Sequence, residues 1–437
     1  MAGSWRKNSL VQQLQDATVH DWYRFVLSFP DHLVSEMLER FEIGRGHTVL
    51  DPFAGTGTTL VVCKKLGINS VGVDANPVTA FASRVKTTWD IDLVEFDRRR
   101  QELLAAIQEP IQSIGVQYSL QLSFDDLLPT GQVLHDPGPD DGDGLKNLLP
   151  KNWISEKPLR KALVIKRAID ALPDDAITDV FRLALAAVVV NDVSNLGFGP
   201  EVYVARQRDD ADVYGAYVSK LRQIARDLAV VQQNPTPGIV TVYCGDARQL
   251  ATFVHGPIDC VITSPPYPNE KDYTRTTRLE LVLLGFMSEK SDLRRIKDQM
   301  LRSHTRNIYV SDNDSAHVAD VSEIQAVAQE VERQRLRYGA TSGFERLYHR
   351  VVTEYFGGMY RVLEQLEQVM PAGSQLALVV GDQMSYFQVP IRTARLLSLV
   401  ACQKLHYEEV ETLTWRTRRA TATKMDLAEH ILILRRR

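Results

Sequence analysis

Short runs of apolar residues, each ended by glycine, proline or aspartate, recur along this chain and predict strands. The first, His47-Thr48-Val49-Leu50, reads as buried. It leads through Asp51-Pro52-Phe53-Ala54-Gly55-Thr56-Gly57-Thr58-Thr59 into Leu60 to Leu66, a predicted helix closed by Gly67. Ser70-Val71-Gly72-Val73 follows and ends in Asp74, Ile239 to Tyr243 runs into Cys244-Gly245-Asp246, and Ile258 to Ile262 precedes Thr263-Ser264-Pro265-Pro266-Tyr267. Gln375 to Val380 predicts a fifth strand ending at Gly381-Asp382, Glu408 to Trp415 a sixth, and Ile431 to Leu434 a seventh.

Long stretches of a different character interrupt this series. Residues 90–236 open with the helical segment Glu95 to Ile107, pass through the turn-rich Asp136 to Gly144, predicted as a flexible loop, and continue in helices to Val231. Lys151 to Ser155 and the apolar helix Val180 to Val193 predict a packed subdomain, and Ser194-Asn195 with Gly197 to Pro200 a loop able to touch substrate. Residues 287–343 carry a charged helix from Val318 to Tyr338. The organisation expected is therefore a core of 1–89, 237–286 and 344–437 with insertions at 90–236 and 287–343.

Strand, glycine turn, helix is the setting in which a nucleotide-like ligand approaches backbone. Gly55 and Gly57 can adopt angles closed to other residues and leave no side chain in the way. An ATPase-type phosphate loop would need Lys-Ser or Lys-Thr after its last glycine, and here Thr58-Thr59 follow; the third glycine of a dinucleotide fold is missing too. Asp74, about twenty residues beyond the glycines, stands where a carboxylate accepts from two ribose hydroxyls, although an acidic strand end is also plain turn chemistry. Asp246 can bond the amine of an adenine if its strand joins the same sheet, and reads equally well as a turn.

Ser264-Pro265-Pro266-Tyr267 stops its strand abruptly. The prolines fix the turn and lack amide hydrogens, so local carbonyls remain as acceptors, joined by the Ser264 hydroxyl. Such a turn can hold an amine by both hydrogens, which pulls its nitrogen toward a tetrahedral shape and frees the lone pair to attack a methyl sulfonium. Tyr267 offers a flat face for an unstacked base. The plainer alternative is a proline-stiffened surface turn.

On these strings the chain resembles the DNA amino-methyltransferases, which methylate the exocyclic N4 of cytosine or N6 of adenine. Phe53, Gly55 and Gly57 match that family's Phe-x-Gly-x-Gly string for S-adenosyl-L-methionine, and Ser264 to Tyr267 its base-holding string; the serine is similar to the cytosine-N4 branch, as is the continuation Pro268 to Arg275 with Leu279-Glu280-Leu281. His20 to Phe25 with Phe29 to Val34 resembles the family's N-terminal motif near the methionine end of the cofactor, and reads equally as a helix packing on the sheet. The resemblance implies an α/β fold of the Rossmann-like class I methyltransferase type: a seven-stranded, mostly parallel sheet with its last strand antiparallel, helices on both faces, and two largely helical insertions. It implies a catalytic set of Ser264, Pro265, Pro266 and Tyr267. The cofactor set comprises Asp51, Phe53, Ala54, Gly55, Thr56, Gly57, Thr58, Asp74, Ala75, Asp246 and Ala247, with Asp51 on the methionine side. The large insertion falls before the strand ending at Asp246, whereas the family's usual break comes after it.

The 437 residues carry a formal net charge of −4, which excludes a uniformly basic nucleic-acid sleeve and leaves phosphate contact to local clusters. These are Lys157 to Lys161 with Lys166-Arg167, Arg294 to Lys297 leading to Arg302-Ser303-His304-Thr305-Arg306, and Trp415 to Arg419 with Lys424. Each also reads as a solvated face. The second follows the base-holding turn, so Asn269, Tyr273, Arg275, Arg302, His304 and Arg306 form the expected DNA-binding set. The four cysteines, Cys63, Cys244, Cys260 and Cys402, lack metal-ligand spacing and read as buried thiols. None follows a proline, which excludes the thiolate route to cytosine C5. No apolar stretch reaches membrane-spanning length, and Met1 to Ser9 lacks a signal-peptide core.

The reading is a cytoplasmic methyltransferase that flips a cytosine from double-stranded DNA and methylates N4, with no metal, no membrane partner, and a restriction or defence protein as companion. Adenine N6, an RNA base, or a catalytically inactive DNA-binding role are the alternatives.

Overall fold

The computed structural model describes residues 18–24, 29–116, 148–199, 201–419 and 426–437. Phe25, Asp136 to Gly144, Pro200 and Lys424 lie outside the described residues, as do Met1 to Ser9.

The strands are β1 (Thr48–Asp51), β2 (Asn69–Asp74), β3 (Leu196–Phe198), β4 (Val202–Val204), β5 (Val240–Cys244), β6 (Cys260–Thr263), β7 (Gln375–Gly381), β8 (Tyr407–Arg419) and β9 (Asp426–Arg436). Seven form one sheet in the order β5-β2-β1-β6-β7-β9-β8. The pairs β5/β2, β2/β1, β1/β6 and β6/β7 are parallel, and β9 runs antiparallel to both its neighbours. This is the expected Rossmann-like class I methyltransferase sheet, and it brings the carboxyl ends of β1, β2, β5, β6 and β7 to one edge, where ligands bind such sheets.

Alternation along the central strands explains the layers. Leu50, Val261, Leu376, Leu378 and Val380 enter one core, while Val49, Cys260, Ile262, Ala377 and Val379 enter another on the opposite face. The latter is covered by α1 (Asp31–Arg40) and α2 (Thr58–Leu66), through Leu33, Val34, Met37, Val62 and Cys63. Gly57, at φ +82°, opens α2, and Gly67, at φ +74°, closes it as the sequence predicts.

The helices α3 (Pro77–Thr87), α4 (Leu93–Val116), α5 (Glu156–Asp170), α6 (Ala176–Val188) and α7 (Val213–Val231) share a separate apolar core. It contains Phe81 and Val85 of α3 together with Phe96, Ile165, Phe181 and Leu221, so residues from 90–236 pack on one helix of the sheet layer. The short helices α8 (Tyr273–Thr276), α9 (Arg278–Leu283) and α10 (Lys290–Asp298) follow β6. After them come α11 (Ser322–Arg337), α12 (Tyr348–Val369) and α13 (Thr393–Lys404), which cover the first face.

Several boundaries differ from the sequence reading for local reasons. The segment around Val318 is a tight turn, Asp314–Val318, so α11 begins at Ser322. β8 extends to Arg419 although β9 pairs with β7 only over Glu429–Arg435; the last rungs, Thr417 to Arg419 against Asp426 to Ala428, project beyond the sheet. A ribbon with polar residues on both faces leaves no hydrophobic alternation to read. Cys63 and Cys260 are buried, but Cys244 is exposed because β5 is the edge strand.

Gly357 of α12 lies against the Asp314 turn so closely that a Cβ would come 1.9 Å from the Asp314 carbonyl oxygen. Gly357→Ala is expected to destabilise the chain by about 2 kcal/mol through overpacking, read as a lower urea midpoint with the slope unchanged.

Candidate functional site

Asp51 ends β1 fully buried, and three groups from three elements donate to it: the Phe53 amide at 3.1 Å, Thr59 Oγ1 of α2 at 2.8 Å, and Thr263 Oγ1 at the end of β6 at 2.6 Å. Burial pushes its carboxyl up to about 6 against the pull of these bonds. Asp51 therefore fastens the start of the glycine turn to the start of the Ser264 turn. It does not line the cleft described below, and the contacts it makes brace the two turns.

The glycines divide the work of the turn. Gly55, at φ +52°, has open space where a Cβ would stand, and its amide donates to Asp74 Oδ2 at 2.8 Å. Gly57 faces the other way: a Cβ there would lie 2.5 Å from Ser83 Oγ of α3, so its task is helix packing. Asp74 also accepts from the Asn76 amide and Thr79 Oγ1, both at 2.8 Å, and burial raises its carboxyl to about 6. Asp246 accepts from the Arg248 amide at 2.9 Å and pairs with its guanidinium at 2.8 Å. Arg248 in turn meets Asp314 at 2.7 Å, and Asp314 meets Arg361 of α12 at 2.8 Å, tying the Asp246 corner to the 314–318 segment and α12.

Ser264 Oγ donates to the Val379 carbonyl of β7 at 3.0 Å. Its proton is spent there, so the hydroxyl offers only lone pairs to the cleft. Tyr267 lies over the end of β7, where a Cβ on Gly381 would come 3.0 Å from its ring. The Asn269 amide donates both to the Tyr267 carbonyl at 2.8 Å and to the Ser303 carbonyl at 3.0 Å. Thr305 adds an Oγ1 bond of 2.6 Å to Glu270. The segment 299–305 is thus braced against the turn that holds the base in the sequence reading.

One cleft of about 320 Å³ is lined by both strings. Phe53, Ala54, Gly55, Thr56, Thr58, Asp74, Ala75, Asp246 and Ala247 meet Ser264, Pro265, Pro266 and Tyr267 there, with Asn269, Tyr273 and His304. Asp51, Gly57, Arg275, Arg302 and Arg306 are not on its wall. Arg302 is buried, bonded to Asp312 at 2.9 Å and to the carbonyls of Lys297 and Met300, so it braces a loop and presents no charge to DNA. Arg275 faces Glu201 at 4.0 Å, and Arg306 is exposed beside the Phe344 ring.

The other basic clusters behave differently from each other. Lys157 and Lys161 both pair with Asp210, Arg160 with Glu156 and Lys166 with Asp170, which makes the first a self-paired helix surface. The third reaches the site: Trp415 and Arg416 line the cleft, the guanidinium lying 4.3 Å from the Trp415 ring and paired with Glu429. These residues, with Gln299, Met300 and Ser303, were missed as site residues; the Trp-Arg pair was the available signal. Phe29 of the N-terminal motif also lines the cleft, whereas Trp22 is held away from it by a 2.9 Å bond to Asp227 of α7. Asn195, expected near substrate, is buried and bonded to the Asn152 carbonyl and Arg208 amide. Among the described residues there is no cluster suited to hold a metal ion, and no helix is long and apolar enough to cross a membrane.

Residues 4–81 match the N6_N4_Mtase family, described as DNA methylase. The chain is 27% identical over 317 residues to the Type II methyltransferase M.BsoBI of Geobacillus stearothermophilus, covering 69% of this chain and 59% of that protein. It is 24% identical over 423 residues to the Type II methyltransferase M.AvaI of a Nostoc species, covering 87% of this chain and 77% of the relative. Among solved structures, an rRNA methyltransferase of Streptomyces viridochromogenes aligns over 95% of this chain and 92% of its own at 10% identity, with a TM-score of 0.29 too low to bear on the fold.

Because the Asp51 carboxyl stands near 6 when folded and in the ordinary aspartate range when unfolded, its share of stability is fully present below that range and is lost as pH rises through about 6. Asp51→Asn removes this titration. In urea titrations, the stability of the variant relative to the natural chain should rise by roughly 2 kcal/mol between pH 4 and pH 7; a difference constant with pH would contradict the assignment.

Proposed function

We propose that this chain is a DNA amino-methyltransferase, a reading supported by the family match over residues 4–81 and the likeness to Type II methyltransferases, and that it transfers a methyl group from S-adenosyl-L-methionine to the exocyclic N4 of a cytosine flipped out of double-stranded DNA. The observation that carries this reading is the shared cleft. β1 and β6 are parallel neighbours, so the glycine turn and the Ser264 turn leave the sheet side by side, and Asp51 fastens their roots together.

Bound S-adenosylmethionine would supply an electrophilic methyl on a sulfonium. Gly55 would admit it close to backbone, Asp74 would accept from its ribose hydroxyls, Phe53 and Ala247 would pack on it, and Asp246 would take the adenine amine with its remaining lone pairs. Asp74 retains this capacity because each carboxylate oxygen accepts more than one bond. The Ser264 hydroxyl and the Pro265 carbonyl would accept the two hydrogens of the target amine. With its own proton committed to Val379, Ser264 cannot donate to the amine nitrogen, so the lone pair stays available for attack. Pro266 would stiffen the turn and Tyr267 would stack on the base. Most of the acceleration would come from holding the two reactants in line.

Serine at 264 supports cytosine as the target. In the same reading the core is 1–89, 237–286 and 344–437, with 90–236 and 287–343 available to read DNA in a cytoplasmic protein that has a restriction or defence partner. The deciding experiment is incubation with methylation-free DNA and S-adenosylmethionine, then digestion to nucleosides and mass spectrometry. N4-methylcytosine is expected; N6-methyladenine would move the target to adenine, and no methylated nucleoside would refute the activity.

Two substitutions separate the halves of the site. Tyr267→Ala is expected to leave S-adenosylmethionine affinity within about 2-fold and to lower turnover by about 10- to 100-fold, the loss of a stacking contact of ~1–3 kcal/mol. Gly55→Asp, which sets a second carboxylate beside Asp74, is expected to weaken cofactor binding by at least about 10-fold by calorimetry.

A further inference from the structure

The β8–β9 ribbon carries an irregularity at the cleft that the methyl-transfer chemistry leaves unused. Thr414 pairs with His430 and Arg416 with Glu429, so Trp415 is an extra residue on β8 with no partner of its own in the ladder. Neighbouring side chains of a regular strand point to opposite faces, whereas a β-bulge bends the strand and re-aims them. Here Trp415 and Arg416, consecutive in sequence, both line the cleft.

Arg416 is held in place from two sides. Its Nε donates to Glu429 Oε2, and its guanidinium lies 4.3 Å from the Trp415 ring. The carboxylate is the buried member of the pair, with 5% of its side chain exposed against 59% for the arginine, so the cation faces outward. Nη1 and Nη2 donate to no described residue. A guanidinium fixed at Nε and stacked on a ring keeps its terminal nitrogens as a ready-oriented fork, which can take two oxygens of an anion at once.

The place of Glu429 identifies that anion. Glu429 stands opposite Gly381 at the end of β7, and a Cβ on that glycine would lie 3.0 Å from the Tyr267 ring and 3.3 Å from Glu429 Cγ. The anchor of the arginine is therefore a neighbour of the ring on which an extruded base would stack. Asp74 and Asp246, which would hold the adenosine of the cofactor, follow β2 and β5 on the far side of β1 and β6 from β8. A nucleotide whose base lies on Tyr267 brings its own flanking phosphates to the near side.

We propose that Arg416, aimed by the bulge at Trp415 and anchored by Glu429, binds a DNA backbone phosphate flanking the extruded nucleotide; this rests on the amino-methyltransferase reading given above. The contact positions the strand and carries no sequence information of its own. It supplies at the cleft the cation that Arg302, turned away to Asp312, does not.

The test compares the natural chain with Arg416→Ala and Arg416→Lys on methylation-free plasmid DNA. It measures KM for DNA, the salt dependence of DNA binding and the set of sites methylated, with S-adenosylhomocysteine affinity read by calorimetry. Arg416→Ala is expected to raise KM for DNA by about 10-fold, to reduce the slope of log affinity against log salt by about 1, and to methylate the same sites. Arg416→Lys, which keeps the charge and loses the fork, should retain the natural slope with an intermediate KM. An unchanged KM and slope in Arg416→Ala would overturn the proposal. So would a change in the sites methylated with the slope intact, which marks a base contact, or a loss of S-adenosylhomocysteine affinity, which assigns the guanidinium to the carboxylate of the cofactor. Failure of the natural chain to methylate DNA would strike the activity itself, while the salt slope of binding would still decide the contact.

Discussion

A single buried carboxylate sets the geometry of this molecule's working edge. Asp51 collects the Phe53 amide, the α2 hydroxyl of Thr59 and the β6 hydroxyl of Thr263, and so fixes how two neighbouring strand ends release their loops. Buried charge is costly unless paired or hydrogen-bonded. Here three donors meet the carboxylate, and the elements that supply them are those whose relative placement decides whether a cleft exists. Remove the tie, and the glycine turn and the Ser264 turn are connected only through the strand pairing behind them.

Outward from that point, each wall of the cleft is held by polar contacts from a different part of the chain. The glycine turn rests on Asp74, the Asp246 corner on Arg248 and Asp314, and the base-side turn on the Asn269 and Thr305 contacts with 299–305. Residues 299–304 therefore contribute to the cleft as structure: Gln299, Met300, Ser303 and His304 line it, while Arg302 between them is turned away to Asp312. Several basic residues singled out for DNA are engaged in internal pairs, Lys157 and Lys161 with Asp210 and Lys297 with Asp272.

What the sequence revealed and what it hid follow from the range of the interactions. Central strands were legible because Val49-Leu50 and Ile262 lie in continuous apolar runs buried on both faces, and the helix after Gly57 because its glycine caps are local. The clefts' two motifs carry their own backbone signatures, glycine at positive φ and paired prolines, and could be read as strings. Asp51 could not, since Thr263 stands 212 residues away and nothing local reports the bond. Arg302 and His304 show the same limit: two residues apart in a string that looked like a phosphate contact, they part according to a loop path that only tertiary packing defines. The projecting end of the β8–β9 ribbon escaped because Thr417 to Arg419 show no hydrophobic alternation, and Arg416 was legible only as part of a basic cluster, with nothing local to place it at the cleft.

Methyl transfer in this cleft depends on the orientation of the bound ligand, and a crystal structure with S-adenosylhomocysteine bound measures that directly. Its adenosine should lie between Asp74 and Asp246, with the sulfur turned toward Ser264 and Pro265. Ligand found elsewhere on the chain, or bound in the cleft with its sulfur facing away from that turn, would contradict the account.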